Sequence, residues 1–181
     1  MAGDFGVEEW VVTDMDKRVR EVKAFNAQLN RLGLTTVYDV GYLDGPYEPV
    51  ARLLKNNDLS VRVYYPLQYY IRTPQEVPKV IEMIRKEKPL SRNAWFGLLG
   101  MGEHVYGPVH DSAFLPKQVF SAEEYEQYRK LATAAAQYGW QLHERTALDT
   151  RVRNLLDMSE EIAKQYPIRD LRWTIAHLEW V

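Results

Sequence analysis

Cysteine is absent from the 181 residues. Its absence excludes disulfides, thiolate zinc ribbons and thiol nucleophiles, and it leaves the redox compartment open. No uninterrupted apolar run approaches the roughly 20 residues needed to span a bilayer. Met1 to Gly6 carries neither a basic nor an apolar leader region, so a signal peptide is not expected as written. Charge of one sign is lacking too: 23 Lys and Arg against 25 Asp and Glu leave a formal charge of −2. That balance gives no electrostatic reason to expect nucleic acid or an anionic membrane as partner. Three phosphate and nucleophile signatures are also missing: G-x-G-x-x-G after a strand, G-x-x-x-x-G-K-[ST], and the nucleophile elbow.

What is present is ordinary in bulk and informative in pattern. Hydrophobic residues make up 46% and charged residues 27%, which suits one globular domain with a sizeable core. The 12 tyrosines and 5 tryptophans fit a ligand cleft or a bulky core equally well. Helical and strand-like segments alternate. Val19, Val22, Phe25, Leu29 and Leu32 recur at helical spacing after a Thr13 or Asp14 cap, and Gly33 ends that helix. Leu34 to Val40 reads as a buried strand, and Val50 to Asn56 as a short helix. The cycle then repeats: strand at Ser60–Leu67, helix from Thr73-Pro74 to Lys86, and strand at Asn93–Leu99 entering a glycine-punctuated turn at Gly100–Glu103. After a loop from His104 to Phe120, Ser121 and Glu124 form a capping box for a helix that Gly139 closes. Trp140–Arg145 is a strand, Leu148–Gln165 a helix, and Leu171–Val181 a last strand.

About five strand–helix units without tight hairpins predict an α/β fold with a parallel sheet. An open doubly wound sheet and an arc of a (β/α)8 barrel both fit. The missing dinucleotide fingerprint favours the barrel, here an incomplete (β/α)8 TIM barrel. Residues 1–181 are read as one partial barrel domain: 1–12 an N-terminal extension, 13–181 the β/α units. Complete barrels run to about 200 residues or more, so a truncated chain is expected.

In such folds chemistry gathers at the C-terminal ends of the strands. Those positions hold Asp39, Gln68 to Tyr70, Glu103 with His104, His143 with Glu144, and His177. His143 and His177 on successive strands would lie side by side at one mouth, where neutral imidazoles can share a divalent metal. They can equally be hydrogen-bonded core residues. Asp39 is either a site carboxylate or a group capping a strand end, and Glu103 an oxygen ligand, a base or a solvated loop residue. His104 and His110 sit on a loop able to reach the mouth. Tyr42, Tyr69, Tyr70 and Tyr106 are candidate walls of an apolar pocket.

Three segments carry a family resemblance. Asn30-Arg-Leu-Gly-Leu-Thr-Thr-Val-Tyr-Asp-Val-Gly41 resembles the "LxxLGITSVxDxG" segment of the amidohydrolase superfamily, family 3 in particular. Ala135 to His143 is similar to its "AxxxGxxVxxH" helix and fifth strand, and Leu171 to His177 to its "LRHRIEH" sixth strand. The resemblance covers about Asn30 to Val181. It implies a (β/α)8 barrel that hydrolyses amide and related C–N bonds with one or two divalent metals, commonly zinc. It also implies His143 and His177 as metal ligands. The pattern departs in places: the first-strand H-x-H pair is not in this sequence, and the last-strand aspartate would lie beyond Val181. No lysine ends the fourth strand, where Glu103 could substitute as oxygen ligand. Arg145 stands where many members have a small residue.

Two functions follow as expectations. One is a metal-dependent amidohydrolase fragment acting on a small amide-type substrate and inactive by itself. The other is a barrel-derived binding or assembly module without a metal. An arc of barrel leaves open strand edges, so either self-association through them or non-native structure near the C-terminus is expected.

Overall fold

A computed structural model describes residues 14–39, 47–67, 71–87, 89, 93–109 and 120–180. Elements alternate along the chain: α1 (Met15–Arg31), β1 (Thr36–Tyr38), α2 (Glu48–Lys55), β2 (Arg62–Leu67), α3 (Val77–Lys86), β3 (Phe96–Glu103), α4 (Ala122–Gln137), β4 (Gln141–Leu148), α5 (Asp149–Ala163) and β5 (Thr174–Trp180). The strands form one five-stranded sheet in the order β1-β2-β3-β4-β5. β3 pairs with β4, and β4 with β5, in parallel. Each strand neighbouring the next in sequence, with a helix between, is the order of a (β/α)8 barrel arc; a doubly wound sheet reverses its order at a switch point. The fold is therefore α/β, an incomplete barrel of about five strand–helix units.

Local chemistry explains the helix limits. The Asp14 carboxylate accepts hydrogen bonds from Asp16 and Lys17 N–H at 2.9 and 3.1 Å and so starts α1. Ser121 Oγ accepts from Glu124 N–H while Glu124 Oε2 accepts from Ser121 N–H, the reciprocal box expected at the start of α4. Gly139, at φ +77°, takes the left-handed conformation just past α4 that a residue with a side chain adopts at a penalty. The predicted helix from Thr73 begins as a 3-10 turn, Pro74–Glu76, before α3. Positions 1–13, with the expected extension, and Val40, Tyr42, Gln68, Tyr69, Tyr70 and His110 lie outside the described residues.

The chain forms two compact units, each with its own core. The first contains α1 and α2. Val50, Leu53, Leu59 and Val63 are buried there, with Val19, Val22, Val37 and Phe96 packed against them. The buried edge of α1 runs through Val19, Val22, Asn26 and Leu29; Phe25 and Leu32, expected on that stripe, are 61% and 76% exposed. The second unit contains α3, α4, α5, β4 and β5, with a core around Ile84, Met101, Leu131, Ala135, Trp140 and Leu142. Tyr106 belongs to this core at 1% exposure, which corrects its reading as a pocket wall.

The glycine-punctuated turn after β3 is also corrected. Gly100-Met-Gly-Glu103 continues the strand and pairs residue by residue with Gln141 to Glu144. A Cβ on Gly100 would overlap the Gln141 carbonyl, and one on Gly102 the His143 carbonyl. The glycines serve close backbone approach within the sheet rather than chain reversal. This carries Glu103 to the last position of β3.

Candidate functional site

The end of β3 and the interior of β4 and β5 place a cluster of ionisable groups inside the second unit; His143, expected near a strand's end, is the third residue of β4. On β4, alternation turns Leu142, Glu144 and Thr146 into the buried layer, and leaves His143 and Arg145 half-buried on the opposite face. Glu103 ends β3 with its side chain only 11% exposed. Its Oε1 is the focus of the cluster. Arg145 donates to it at 3.1 Å, His177 Nε2 stands 3.4 Å away and His104 Nε2 3.9 Å away. Burial lowers the pKa of His143 below the usual imidazole value, opposed by Glu103 and reinforced by His177. Burial also lowers that of His104, opposed by Glu103 and reinforced by Arg145 and His177. Both rings are thus held toward the neutral form, the form that donates a lone pair to a metal.

Two further residues support the cluster. The Tyr38 ring, at the end of β1, packs against His143 with centroids 5.3 Å apart, and burial raises its phenol well above the ordinary range. Glu144 is 3% exposed on the other face of β4. Burial pushes its carboxyl well above the carboxylate range, opposed by hydrogen bonds from Val105 N–H and the Tyr128 hydroxyl. Glu144 therefore ties the segment just after Glu103 to β4 and to α4.

The predicted site residues are brought together only in part. Glu103 and His177 meet. His143 shares their electrostatic field, but it is offset along the sheet: His143 pairs with Thr174, whereas His177 pairs with Thr146. Three residues of strand correspond to about 10 Å at the backbone, so the expected side-by-side placement of the two histidines is staggered. Asp39 follows β1 directly, with its N–H donating to the Tyr64 carbonyl at 2.8 Å. Sequence reasoning passed over Tyr38, which it quoted only inside a motif. For Arg145 it noted an unusual position but not the bond to Glu103.

The donor types suit a divalent metal, and so does one spacing. Two ligands about 2.1 Å from a tetrahedral ion stand about 3.4 Å apart, which is the Glu103–His177 separation. Among the described residues, however, no three His, Asp or Glu side chains form a group that could hold a metal ion. The stagger sets His143 apart from the Glu103–His177 pair along the sheet.

No curated protein and no solved structure matches the chain at a significant level. A family match does exist, and it runs through nearly every element described above. Residues 7–181 match the Amidohydrolase family, the branch numbered 3, whose hydrolases generally use divalent metals, and the chain belongs to that family.

Proposed function

We propose that the protein hydrolyses an amide-type C–N bond of a small molecule, and that this chain supplies the part of the catalytic mouth built on β3, β4 and β5. One observation carries the reading. Glu103 ends β3, the side on which barrels of this kind do their chemistry, and Arg145 and His177, from within the adjacent strands β4 and β5, close on its carboxylate, with His143 two residues before Arg145 on the same face of β4. His143, His177 and Glu103 are the donors through which the chain would hold a divalent metal, with zinc the first choice for two imidazoles and a carboxylate. When bound, such an ion supplies Lewis acidity and acidifies a water molecule.

The residues themselves contribute orientation and charge state. Tyr38 packs against the His143 ring and restricts its rotation. Burial favours the neutral form of that ring. Glu103 offers an anionic oxygen, already engaged by Arg145. Because the three donors are not assembled at one point, metal affinity should be weak, and the chain by itself should not turn over substrate.

The engagement of Glu103 by Arg145 favours a second reading. A carboxylate neutralised by a guanidinium is satisfied without a metal, as a binding or assembly module would require. Metal analysis of the purified chain, with His143→Ala and His177→Ala, separates the two. Bound zinc that both substitutions abolish supports the hydrolase reading. No metal, with both variants folded like the parent, favours the module.

A further inference from the structure

We infer that the Arg145 guanidinium is a built-in counter-cation that holds the position between the two histidine rows and thereby limits metal uptake by this site. The inference rests on the donor reading of Glu103, His143 and His177 and adds to it a residue that opposes the metal.

Register supplies the first part of the argument. Along the β4–β5 pair the partners run His143↔Thr174, Arg145↔Ala176 and Thr146↔His177. Arg145 therefore lies between the row of His143 and the row of His177, on the same face of β4 as His143. The position that an ion bridging the two imidazoles would need is the one where the arginine side chain begins.

Contact supplies the second part. Arg145 reaches Glu103 Oε1 at 3.1 Å, and His177 Nε2 stands 3.4 Å from that same oxygen. A metal bound to Glu103 and His177 would have to share the oxygen with a guanidinium or displace it. Sharing places a dication within a few ångströms of a fixed positive charge. Displacement strips a charge-assisted hydrogen bond from an arginine side chain that is 25% exposed. Either route weakens metal binding. The guanidinium gives the carboxylate what the ion would give it: a counter-charge within the mouth.

Removing the charge should therefore strengthen metal binding, while swapping it for another charge should not. Zinc titration of the full chain by calorimetry, with cobalt(II) absorption as a report on the donors, tests this with Arg145→Gln and Arg145→Lys. Far-UV circular dichroism checks that each variant folds. The glutamine variant should bind zinc about tenfold more tightly than the parent, the lysine variant should stay near the parent, and adding His177→Ala should cancel the gain. Equal affinity in parent and Arg145→Gln, with zinc still lost in His177→Ala, would overturn the counter-cation role and leave the donor reading standing. Equal gains in the glutamine and lysine variants would assign the effect to side-chain shape rather than charge, and would also overturn it. No zinc binding in any variant would overturn both.

Discussion

A carboxyl group at 3% exposure is a costly thing to bury; Glu144 meets donors on one side, while its Oε2 is buried without a hydrogen-bond partner. Val105 N–H and the Tyr128 hydroxyl meet it, and burial holds the acid toward its neutral form. A neutral carboxyl and a primary amide have nearly the same shape. Glu144→Gln should therefore cost about 1 kcal/mol or less, whereas Glu144→Ala leaves a cavity and strands the Tyr128 hydroxyl, at a cost of about 3 kcal/mol. Urea unfolding of the two variants checks the difference; equal losses would mean that the acid is buried as an anion. Legibility at this scale followed separation along the chain. Glu103 ends its strand as the strand-end reading expected, whereas His143 and His177 lie within β4 and β5. The Arg145–Glu103 bond spans 42 positions, and the Tyr38–His143 packing joins the first strand to the fourth, so neither leaves a local signal.

Elements were more readable than residues, because their causes are local. The caps at Asp14 and Ser121 and the glycine after α4 mark helix ends through bonds to backbone two or three residues away. β3 is the instructive exception. A glycine pair in sequence reads as a turn, and its use as a flat strand appears only once β4 lies against it. Substituting Gly100 by alanine would drive a methyl group into the Gln141 carbonyl, with backbone on both sides and no flexible side chain to yield. The loss should reach about 3 kcal/mol in urea unfolding, with a displaced Glu103. A change within about 0.5 kcal/mol would show that β3 and β4 do not approach so closely.

At the scale of the whole molecule, β1 and β5 stand at the two ends of the strand order. Sheet ends expose backbone donors and acceptors, and proteins protect them with charge, bulges or cover. β5 shows partial protection. Its register with β4 shifts between Thr146 and Leu148, and His177 and Leu178 take left-handed φ values of 76° and 54°. The straight, pairing-competent stretch is then Thr174 to Ala176. None of the residues from Thr174 to Leu178 is fully buried, and Leu178 is 40% exposed. We expect the chain to self-associate along this edge. Light scattering should give a mass that climbs above 21.2 kDa as concentration rises. Leu178→Lys, which replaces an exposed apolar group with a charge at the edge, should return the mass toward the monomer. Phe25 on α1 and Leu32 just past its end offer a competing apolar surface in the other unit. If Phe25→Lys restores the monomer and Leu178→Lys does not, association runs through α1 and the sheet edge is already adequately protected. A chain monomeric at every concentration would mean that the bulge at His177 suffices by itself to block pairing.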